Sequence, residues 1–313
     1  MGQTTNDILM VSPKGFSYNP QTAQNNTFQS NKNLFNKNNL TKISIEEFDQ
    51  FAEKLYDSGI NVIIPDSIAS EDCPDAVFPN NWVTFHEDGS VILYPMYAPN
   101  RRKERKQGIL DFLVDNHSFK INNIIDMSKN EENGLFLEGT GSMLLDRKNK
   151  IAYAALSERT SKKLLQNFGK AMDYEYNFFN AFDIKSEFLL PIYHTNVMMC
   201  LGINFAVVCL EIIIDEKEKN NIKKSILKSG KQIIDISFSQ VQSFAGNMLE
   251  LKDANNQPLI VMSTNAYQSL EKTQLKKLQR HGRIIHSSLD TIEKFGGGSA
   301  RCMIAEVFLP KTK

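Results

Sequence analysis

Gly296-Gly297-Gly298-Ser299-Ala300-Arg301-Cys302-Met303 is the stretch of this chain from which both its fold and its chemistry can be worked out. Three consecutive glycines allow the backbone to turn tightly and to approach another group closely, which a purely structural strand does not require. A cysteine follows at the head of an apolar strand predicted over 303–309. A thiol presented by such a turn is a candidate nucleophile, although a buried cysteine after a flexible loop gives the same pattern.

Four earlier segments repeat the plan of this one. Each has a short apolar strand, a small polar turn, two strands joined by a tight loop and an amphipathic helix. Corresponding positions recur about every 50 to 60 residues, as in repeat architectures; they are Asn81, Ser142, Asn196, Asn247 and Cys302. We therefore predict one closed α/β domain over 1–313 that is built of five ββαβ units, with the Asn/Gln-rich segment 1–40 packed on it. Propeller-like closure is one solution for such a repeat.

The fifth unit lacks a closing helix, and the N-terminal part of the chain offers one. Ser44 and Glu47 have the spacing of a capping box, an apolar stripe follows, and Gly59 ends the pattern. We predict that this helix, over 44–58, completes the fifth unit from the opposite end of the chain.

The polar turns of the five units are expected to point to one central place. They hold Asn80 and Asn81, Glu138, His194, Ala245 and Gly246, and Cys302. A thiol, an imidazole and a carboxylate would then meet, which is the equipment for nucleophilic attack on a planar carbon. Cys302 is the predicted nucleophile, His194 moves protons, and Glu138 orients the histidine or holds an N–H of the substrate. Taken alone, a histidine such as His194 is more often a core residue than a catalytic one, and Glu138 is equally compatible with a cap or turn residue.

Composition narrows the class of protein. Positive and negative side chains balance to a formal net charge of zero, which argues against a dedicated nucleic-acid or membrane-surface protein. No apolar run approaches the ~18 residues of a membrane span, and no secretory signal is recognisable. The cysteines show neither a CxxC pair nor zinc-like spacing with histidines, so we predict no metal site and a reducing, cytoplasmic location.

Several motifs resemble the arginine deiminase and amidinotransferase superfamily, also called the penteins or guanidino-modifying enzymes. They are FPNNW (78–82), LEG (137–139), YHTN (193–196), FAGNMLEL (244–251) and GGGSARCM (296–303). The resemblance runs through nearly the whole chain. It implies a five-fold α/β propeller, a catalytic set of Cys302, His194 and Glu138, and covalent catalysis without a metal or cofactor.

Two departures from the family pattern bear on the substrate. Arginine deiminases carry carboxylates where this chain has Asn81 and Asn196, and those carboxylates grip a charged guanidinium. Burying a guanidinium without acidic partners is costly, whereas uncharged amides suit a ureido group, which has both C=O and N–H. The chain resembles most closely the citrulline ureidase branch, which also shares the sequence pattern of residues 10–26. The resemblance implies hydrolysis of citrulline to ornithine, ammonia and carbon dioxide through a cysteine thiocarbamoyl intermediate.

Further contacts to a citrulline-like amino acid are predicted around this centre. Phe78 and Asn80 belong to the same turn as Asn81, and Arg102, in the basic run 101–105, is a candidate for the substrate carboxylate. A solvated helix start explains that run equally well. Arg301 is a second candidate, with a structural role as its alternative, because neighbouring side chains in a strand point to opposite faces.

Other functions stay open at this point. A guanidine hydrolase or amidinotransferase would be favoured if Asp75 or Asp72 met the positive charge. A catalytically silent amino-acid-binding protein of the same fold is the alternative from another class, and its pocket would not need a thiol. No nucleic acid or membrane partner is expected, and a homodimer is left open.

Overall fold

The computed structural model describes residues 2–31, 37–65 and 73–312. The strands found there are short and lie at regular intervals along the chain. In chain order they are β1 (Asp7–Leu9), β2 (Asn61–Ile63), β3 (Val83–Phe85), β4 (Ser90–Leu93), β5 (Asn123–Asp126), β6 (Leu144–Asp146), β7 (Ile151–Ala155), β8 (Glu175–Phe179), β9 (Met199–Leu201), β10 (Phe205–Val208), β11 (Gln232–Asp235), β12 (Leu249–Lys252), β13 (Pro258–Ser263), β14 (Arg283–Ser287) and β15 (Ala305–Glu306).

Helices alternate with these strands. In chain order they are α1 (Lys37–Asp57), α2 (Gln107–His117), α3 (Gly139–Ser142), α4 (Lys162–Met172), α5 (Glu216–Lys228), α6 (Phe238–Gln242), α7 (Thr264–Ser269), α8 (Lys272–Gln279) and α9 (Asp290–Gly296). Single 3-10 turns lie at Pro79–Asn81, Pro99–Glu104, Ser128–Asn133 and Thr195–Val197.

The described strands form five three-stranded sheets that share one topology. Their orders are β15-β1-β2, β3-β4-β5, β6-β7-β8, β11-β10-β9 and β12-β13-β14. In each sheet an antiparallel pair is followed, after a helical crossover, by a strand parallel to the second member. A parallel neighbour needs such a crossover because the chain must return to the same end of the sheet. The predicted ββαβ repeat is confirmed.

The fifth sheet joins the two ends of the chain. β15 pairs antiparallel with β1, where Ile8 lies opposite Glu306, and β1 pairs parallel with β2. The crossover between β1 and β2 contains α1, so the N-terminal helix completes the last unit, as predicted. The leading strands of successive units touch one another, β15 with β3, β6 with β9, and β9 with β12. The sheets therefore surround a common centre.

Helix α1 begins earlier than the capping-box pattern predicts. It starts at Lys37, and Ser44 lies inside it, where its hydroxyl donates to the Leu40 carbonyl at 2.8 Å. Glu47 instead accepts hydrogen bonds from the backbone N–H groups of Thr291 and Ile292. The Ser–Glu pair is thus no cap of α1, because the glutamate caps the start of the neighbouring helix α9.

Apolar packing lies mostly outside the central turns. One face of α1, including Phe48, Phe51 and Leu55, is buried against the strands beneath it. Cys200 and Cys209 belong to another buried cluster, around β9 and β10. In the described parts of the chain, no helix is long and apolar enough to cross a membrane.

Candidate active site

Turns from different units bring the predicted site residues together. The turn containing Asn81 packs on α3, and α3 packs on the turn that follows His194. Gly141 of α3 makes this contact possible. A Cβ there would lie 2.5 Å from Asn81 Nδ2 and 2.8 Å from His194 Nδ1, closer than side chains tolerate.

Glu138 and His194 form a buried pair. Glu138 Oε2 lies 2.7 Å from His194 Nε2, and Glu138 Oε1 accepts the backbone N–H of Tyr97 at 2.9 Å. Burial opposes ionisation of Glu138, but the positive charge of Arg159 and the hydrogen bond with His194 lower its pKa to about 2. Burial lowers the pKa of His194 to about 4, against the pull of Glu138. At neutral pH the pair is therefore a carboxylate and a neutral imidazole, with the proton on Nε2 and a free acceptor at Nδ1.

Two amide groups surround the predicted nucleophile. Asn196 Nδ2 lies 3.3 Å and Asn247 Nδ2 lies 3.2 Å from Cys302 Sγ. The Asn247 side chain also accepts the N–H of Arg301 at 3.1 Å through Oδ1, and it donates to the Asn196 carbonyl at 2.9 Å. It thus fixes both the sulfur and the turn that presents it. Burial raises the pKa of the Cys302 thiol, although these hydrogen bonds act in the other direction.

Asn247 was not among the residues predicted for the site. The sequence does contain a signal for it, because Asn247 occupies the repeat position that corresponds to Asn81 and Asn196. Only the neighbouring Ala245 and Gly246 were assigned to the central turn. Three equivalent asparagines and one cysteine therefore occupy four of the five central positions.

A small cavity is lined by Cys302 and the predicted site residues around it. It leaves about 10 Å³ for the centre of a water molecule, which is room for about one water. Its lining includes Thr22, Asn26, Asp75, Phe78, Asn81, Arg101, Arg159, Tyr193, His194, the glycines 296–298 and Cys302. A wider hollow of about 210 Å³ shares Arg159 and Tyr193 with it and carries Leu190 and Pro191 on its wall.

The arginine that reaches this cavity from the basic run is Arg101, and the prediction of Arg102 is corrected. Arg101 is buried, forms paired hydrogen bonds of 2.9 Å with both oxygens of Glu104, and donates to Asn81 Oδ1 at 2.7 Å. The Arg102 side chain is 33% exposed and pairs with Glu131 at 3.2 Å, outside the cavity lining. The run forms a 3-10 turn, with α2 starting only at Gln107, and this turn directs adjacent side chains to different sides.

Arg301 and Arg159 also differ in where they point. Arg301 donates to the Ile304 carbonyl and pairs with Glu306 at 2.6 Å, so it faces away from the thiol, in line with its structural alternative. Arg159, which the sequence did not single out, lies on the cavity wall over the Tyr193 ring. Its NH1 group is 3.6 Å from Glu138 Oε2.

The remaining residues predicted to contact the substrate differ in whether they line the cavity. Phe78 lines the cavity, and its ring lies against Gly296 and Gly298. Asn81 lines the cavity too, but its oxygen accepts from Arg101 and its Nδ2 donates to Asn80 Oδ1 at 3.0 Å. Asn80 lies behind it and donates to Thr140 at 3.1 Å.

Two buried oxygens at the site have no hydrogen-bond partner within the described parts of the chain. They are Asn196 Oδ1 and Asp75 Oδ1. The other oxygen of Asp75 accepts from Asn19 at 2.7 Å and from Thr22 at 3.1 Å. Buried acceptors are rarely left unpaired, so both oxygens are positions at which a donor on a ligand would be stabilised. Asp72, the other acid considered for a positive charge, lies outside the described residues.

The resting protonation states predict how the thiol reacts. Because burial raises the Cys302 pKa above the ordinary thiol value, the resting side chain is mostly the protonated thiol at pH 7. The rate of Cys302 alkylation by iodoacetamide should therefore rise with pH through 9, without a plateau below pH 8. Peptide mapping by mass spectrometry separates Cys302 from the other thiols. A rate that is already constant between pH 6 and 7 would show a resting thiolate instead.

Comparisons with known proteins bear on the family and the fold of the chain. A family model described as N,N dimethylarginine dimethylhydrolase, eukaryotic, matches residues 12–309. No match was found among curated proteins.

Solved structures of other proteins share the fold. ArgZ, an arginine dihydrolase from the ornithine-ammonia cycle in cyanobacteria, is 19% identical with a TM-score of 0.69 over 98% of this chain and 41% of its own. AgrE is 18% identical with a TM-score of 0.70, over 98% and 40%. A histidine-to-glycine variant of dimethylarginine dimethylaminohydrolase, in adduct with S-methyl-L-thiocitrulline, is 13% identical with a TM-score of 0.64, over 97% and 99%. The chain thus spans about two fifths of the length of ArgZ and AgrE, and the predicted propeller fold is confirmed.

Proposed function

We propose a function from one premise, that this chain belongs to the pentein family described as N,N dimethylarginine dimethylhydrolase, eukaryotic. The proposed activity is cysteine-dependent hydrolysis of the ureido group of citrulline, giving ornithine, ammonia and carbon dioxide. The observation that carries this choice is the pair of uncharged amides, Asn196 and Asn247, at hydrogen-bonding distance from Cys302 Sγ. Amides at this position suit a neutral substrate group, whereas a guanidinium would be left without a counter-charge at the sulfur.

The first stage forms a covalent intermediate. Cys302 gives its proton to His194, whose Nδ1 is unprotonated at rest, and Sγ attacks the ureido carbon. The new S–C bond displaces the carbonyl electron pair onto oxygen, where the side-chain amide of Asn196 or Asn81 can donate to it. His194 then protonates the leaving amine, the C–N bond breaks, and ammonia departs. A thiocarbamoyl group that still carries the ornithine nitrogen remains on Cys302.

The second stage uses the same histidine in the opposite sense. His194 takes a proton from water, the resulting hydroxide attacks the thiocarbamoyl carbon, the S–C bond breaks, and His194 returns the proton to the Cys302 sulfur. The released carbamic acid separates into ornithine and carbon dioxide. Glu138 remains ionised throughout and stabilises the imidazolium that forms in each stage.

The amino-acid end of citrulline finds complementary charges on the cavity wall. Asp75 Oδ1 has no partner among the described residues and suits the α-ammonium group. Arg159 donates through Nε to Asn25 and through NH2 to the Thr22 carbonyl. Its NH1 group, 3.6 Å from Glu138 Oε2, suits the α-carboxylate. Arg101 is already occupied by Glu104 and Asn81, so we assign it to holding Asn81 in place.

A guanidino substrate is the second candidate, and the free oxygen of Asp75 is the observation that favours it. A carboxylate in the cavity could meet the charge of arginine or of a methylated arginine. Against this, Asp75 lies 3.9 Å from Arg101 Nε, which already offsets its charge. Incubating the protein separately with citrulline, arginine and dimethylarginine, and measuring ornithine, citrulline and ammonia, distinguishes the two. Formation of citrulline from either arginine would overturn the ureidase proposal.

Replacing the side-chain amide of Asn196 by a carboxylate should shift the substrate preference from citrulline towards arginine. In Asn196→Asp a negative charge replaces an N–H donor beside Cys302 Sγ, which disfavours the thiolate and a neutral substrate while favouring a guanidinium. We expect kcat/KM for citrulline to fall about 100-fold or more, the equivalent of losing one charge-directed hydrogen bond, and arginine to bind measurably. Asn255→Asp adds the same charge on an exposed turn and is the matched control. Equal effects in the two variants would contradict the role of Asn196.

A further inference from the structure

A buried carboxylate that takes no part in the proposed chemistry lies directly behind the glycine turn. Glu293 of α9 is only 3% exposed. Its Oε1 accepts from the Ser299 hydroxyl at 2.5 Å, and its Oε2 accepts from Asn265 Nδ2 at 2.7 Å. A carboxylate is seldom buried to this degree unless it is paired, and here its partners are neutral donors. Its burial is therefore supported by hydrogen bonds to the turn, to Asn265 and to Ser263.

The bonds of Glu293 hold both sides of the turn. Its backbone carbonyl accepts the N–H of Gly297 at 2.9 Å, where the chain takes a left-handed conformation with φ +66°. Its side chain holds Ser299, which is fully buried. Positions 297 and 299 are thus fixed to the same residue of α9 from two directions.

Ser299 passes this constraint to the nucleophile. Its carbonyl accepts the N–H of Cys302 at 2.9 Å and that of Met303 at 3.3 Å. On the other side, Asn247 holds the N–H of Arg301 and donates to Sγ. The sulfur is thereby fixed between two anchors, Asn247 in front and the Glu293–Ser299 pair behind.

We propose that Glu293 is a positioning residue, which holds Cys302 Sγ against the amide donors of Asn196 and Asn247 by fixing the turn through Ser299. The effect of Glu293 on turnover rests on the function proposed above. Its effect on the pKa of the Cys302 thiol is independent of that function, because the two amides stabilise the thiolate whichever substrate is used.

Four variants separate this role from general packing. Ser299→Ala removes only the hydroxyl that links the carboxylate to the turn. Asn265→Ala removes another hydrogen bond of the same carboxylate and leaves that link intact, so it is the matched control. Glu293→Ala removes the anchor, and Glu293→Gln restores an acceptor of the same size for the Ser299 hydroxyl.

The first measurement is the pH dependence of Cys302 alkylation by iodoacetamide, followed on the Cys302 peptide, with thermal unfolding recorded for each variant. Loss of alignment with the amide donors should raise the thiol pKa by about one unit in Ser299→Ala and Glu293→Ala. Asn265→Ala should stay within about 0.3 units, and Glu293→Gln should lie closer to the unchanged protein than Glu293→Ala does. With citrulline, kcat should fall about 10-fold or more in Ser299→Ala while KM changes little.

An unchanged thiol pKa in Ser299→Ala would overturn the proposal, as would an equal rise in Asn265→Ala. If Glu293→Ala does not fold, Ser299→Ala still decides the question, because it adds no charge and removes one atom. If the unchanged protein does not act on citrulline, the ureidase proposal fails, while the alkylation profiles still support or overturn the positioning role.

Discussion

Replacing Cys302 by serine is expected to abolish citrulline hydrolysis, lowering kcat by about 10⁴-fold or more. A hydroxyl is far less acidic than a thiol, and His194, whose pKa is lowered to about 4 by burial, is too weak a base to deprotonate it. The two amide donors around Sγ would still bind the hydroxyl, so the variant should fold and bind the substrate. Ornithine release measures the turnover, and an acid quench followed by peptide mass spectrometry detects the thiocarbamoyl group on Cys302 in the unchanged protein.

Cys209→Ala is the matched control for this variant. Cys209 is also fully buried, but it belongs to the apolar cluster around β9 and β10. Its loss should cost about 1 kcal/mol of stability through the small cavity it leaves and should leave kcat unchanged. Turnover retained in Cys302→Ser, or lost equally in Cys209→Ala, would contradict covalent catalysis by Cys302.

The parts of the fold that the sequence predicts well depend on repetition. The sheets recur with the spacing that the motifs show, and the pairing of β15 with β1 follows once five units must close. Helix α1 shows where a local sequence pattern does not predict the structure. Its Ser44–Glu47 pair has capping spacing, but Glu47 accepts hydrogen bonds from α9, a contact between residues 244 positions apart in the chain. No local rule anticipates that contact.

In the candidate site, too, the sequence predicts the residues of the repeated turns and misses those that depend on contacts between distant segments. Residues in the repeated turns, Glu138, His194 and Cys302, are found because their spacing places them in one ring. Asp75 could be assigned to the cavity only from its contacts with Asn19 and Thr22, in the N-terminal segment that packs over it. Those contacts join parts of the chain that share no repeat, so spacing does not predict them.

The choice between Arg101 and Arg102 failed for a related reason. Both carry the same charge in the same run, and only the 3-10 turn decides which one enters the interior. Glu104, three positions after Arg101, compensates the buried guanidinium. The sequence does contain a signal for this pair, because Glu104 follows Arg101 by three positions. That spacing identifies the arginine that is held by an acid, and not an arginine that is available to a substrate.

Replacing Glu138 by glutamine is expected to lower kcat by about 10³- to 10⁴-fold, because the carboxylate fixes both the tautomer and the charge of the catalytic imidazole. Glu138 is ionised, with a pKa lowered to about 2, and accepts the proton on His194 Nε2. Glutamine has the same size, but it is neutral and can present an N–H₂ group to Nε2, which would move the imidazole proton to Nδ1. The base that receives the Cys302 proton would then be lost.

The pH profile distinguishes this effect from a loss of fold. In the unchanged protein His194 is deprotonated down to about pH 4. Glu138 favours the imidazolium, so removing its charge lowers the His194 pKa further, and the acid limb of kcat should move to lower pH.

Glu131→Gln is the matched control for Glu138→Gln, since Glu131 pairs with Arg102 and Arg105 outside the cavity lining. It should affect thermal stability and leave both kcat and the acid limb in place. An acid limb that stays fixed in Glu138→Gln, or a kcat within threefold of the unchanged protein, would contradict the role of Glu138. In that case His194 would have to be oriented by its backbone and by Tyr193, whose ring lies 4.7 Å away. The imidazolium formed during the reaction would then have no carboxylate in contact with it among the described residues.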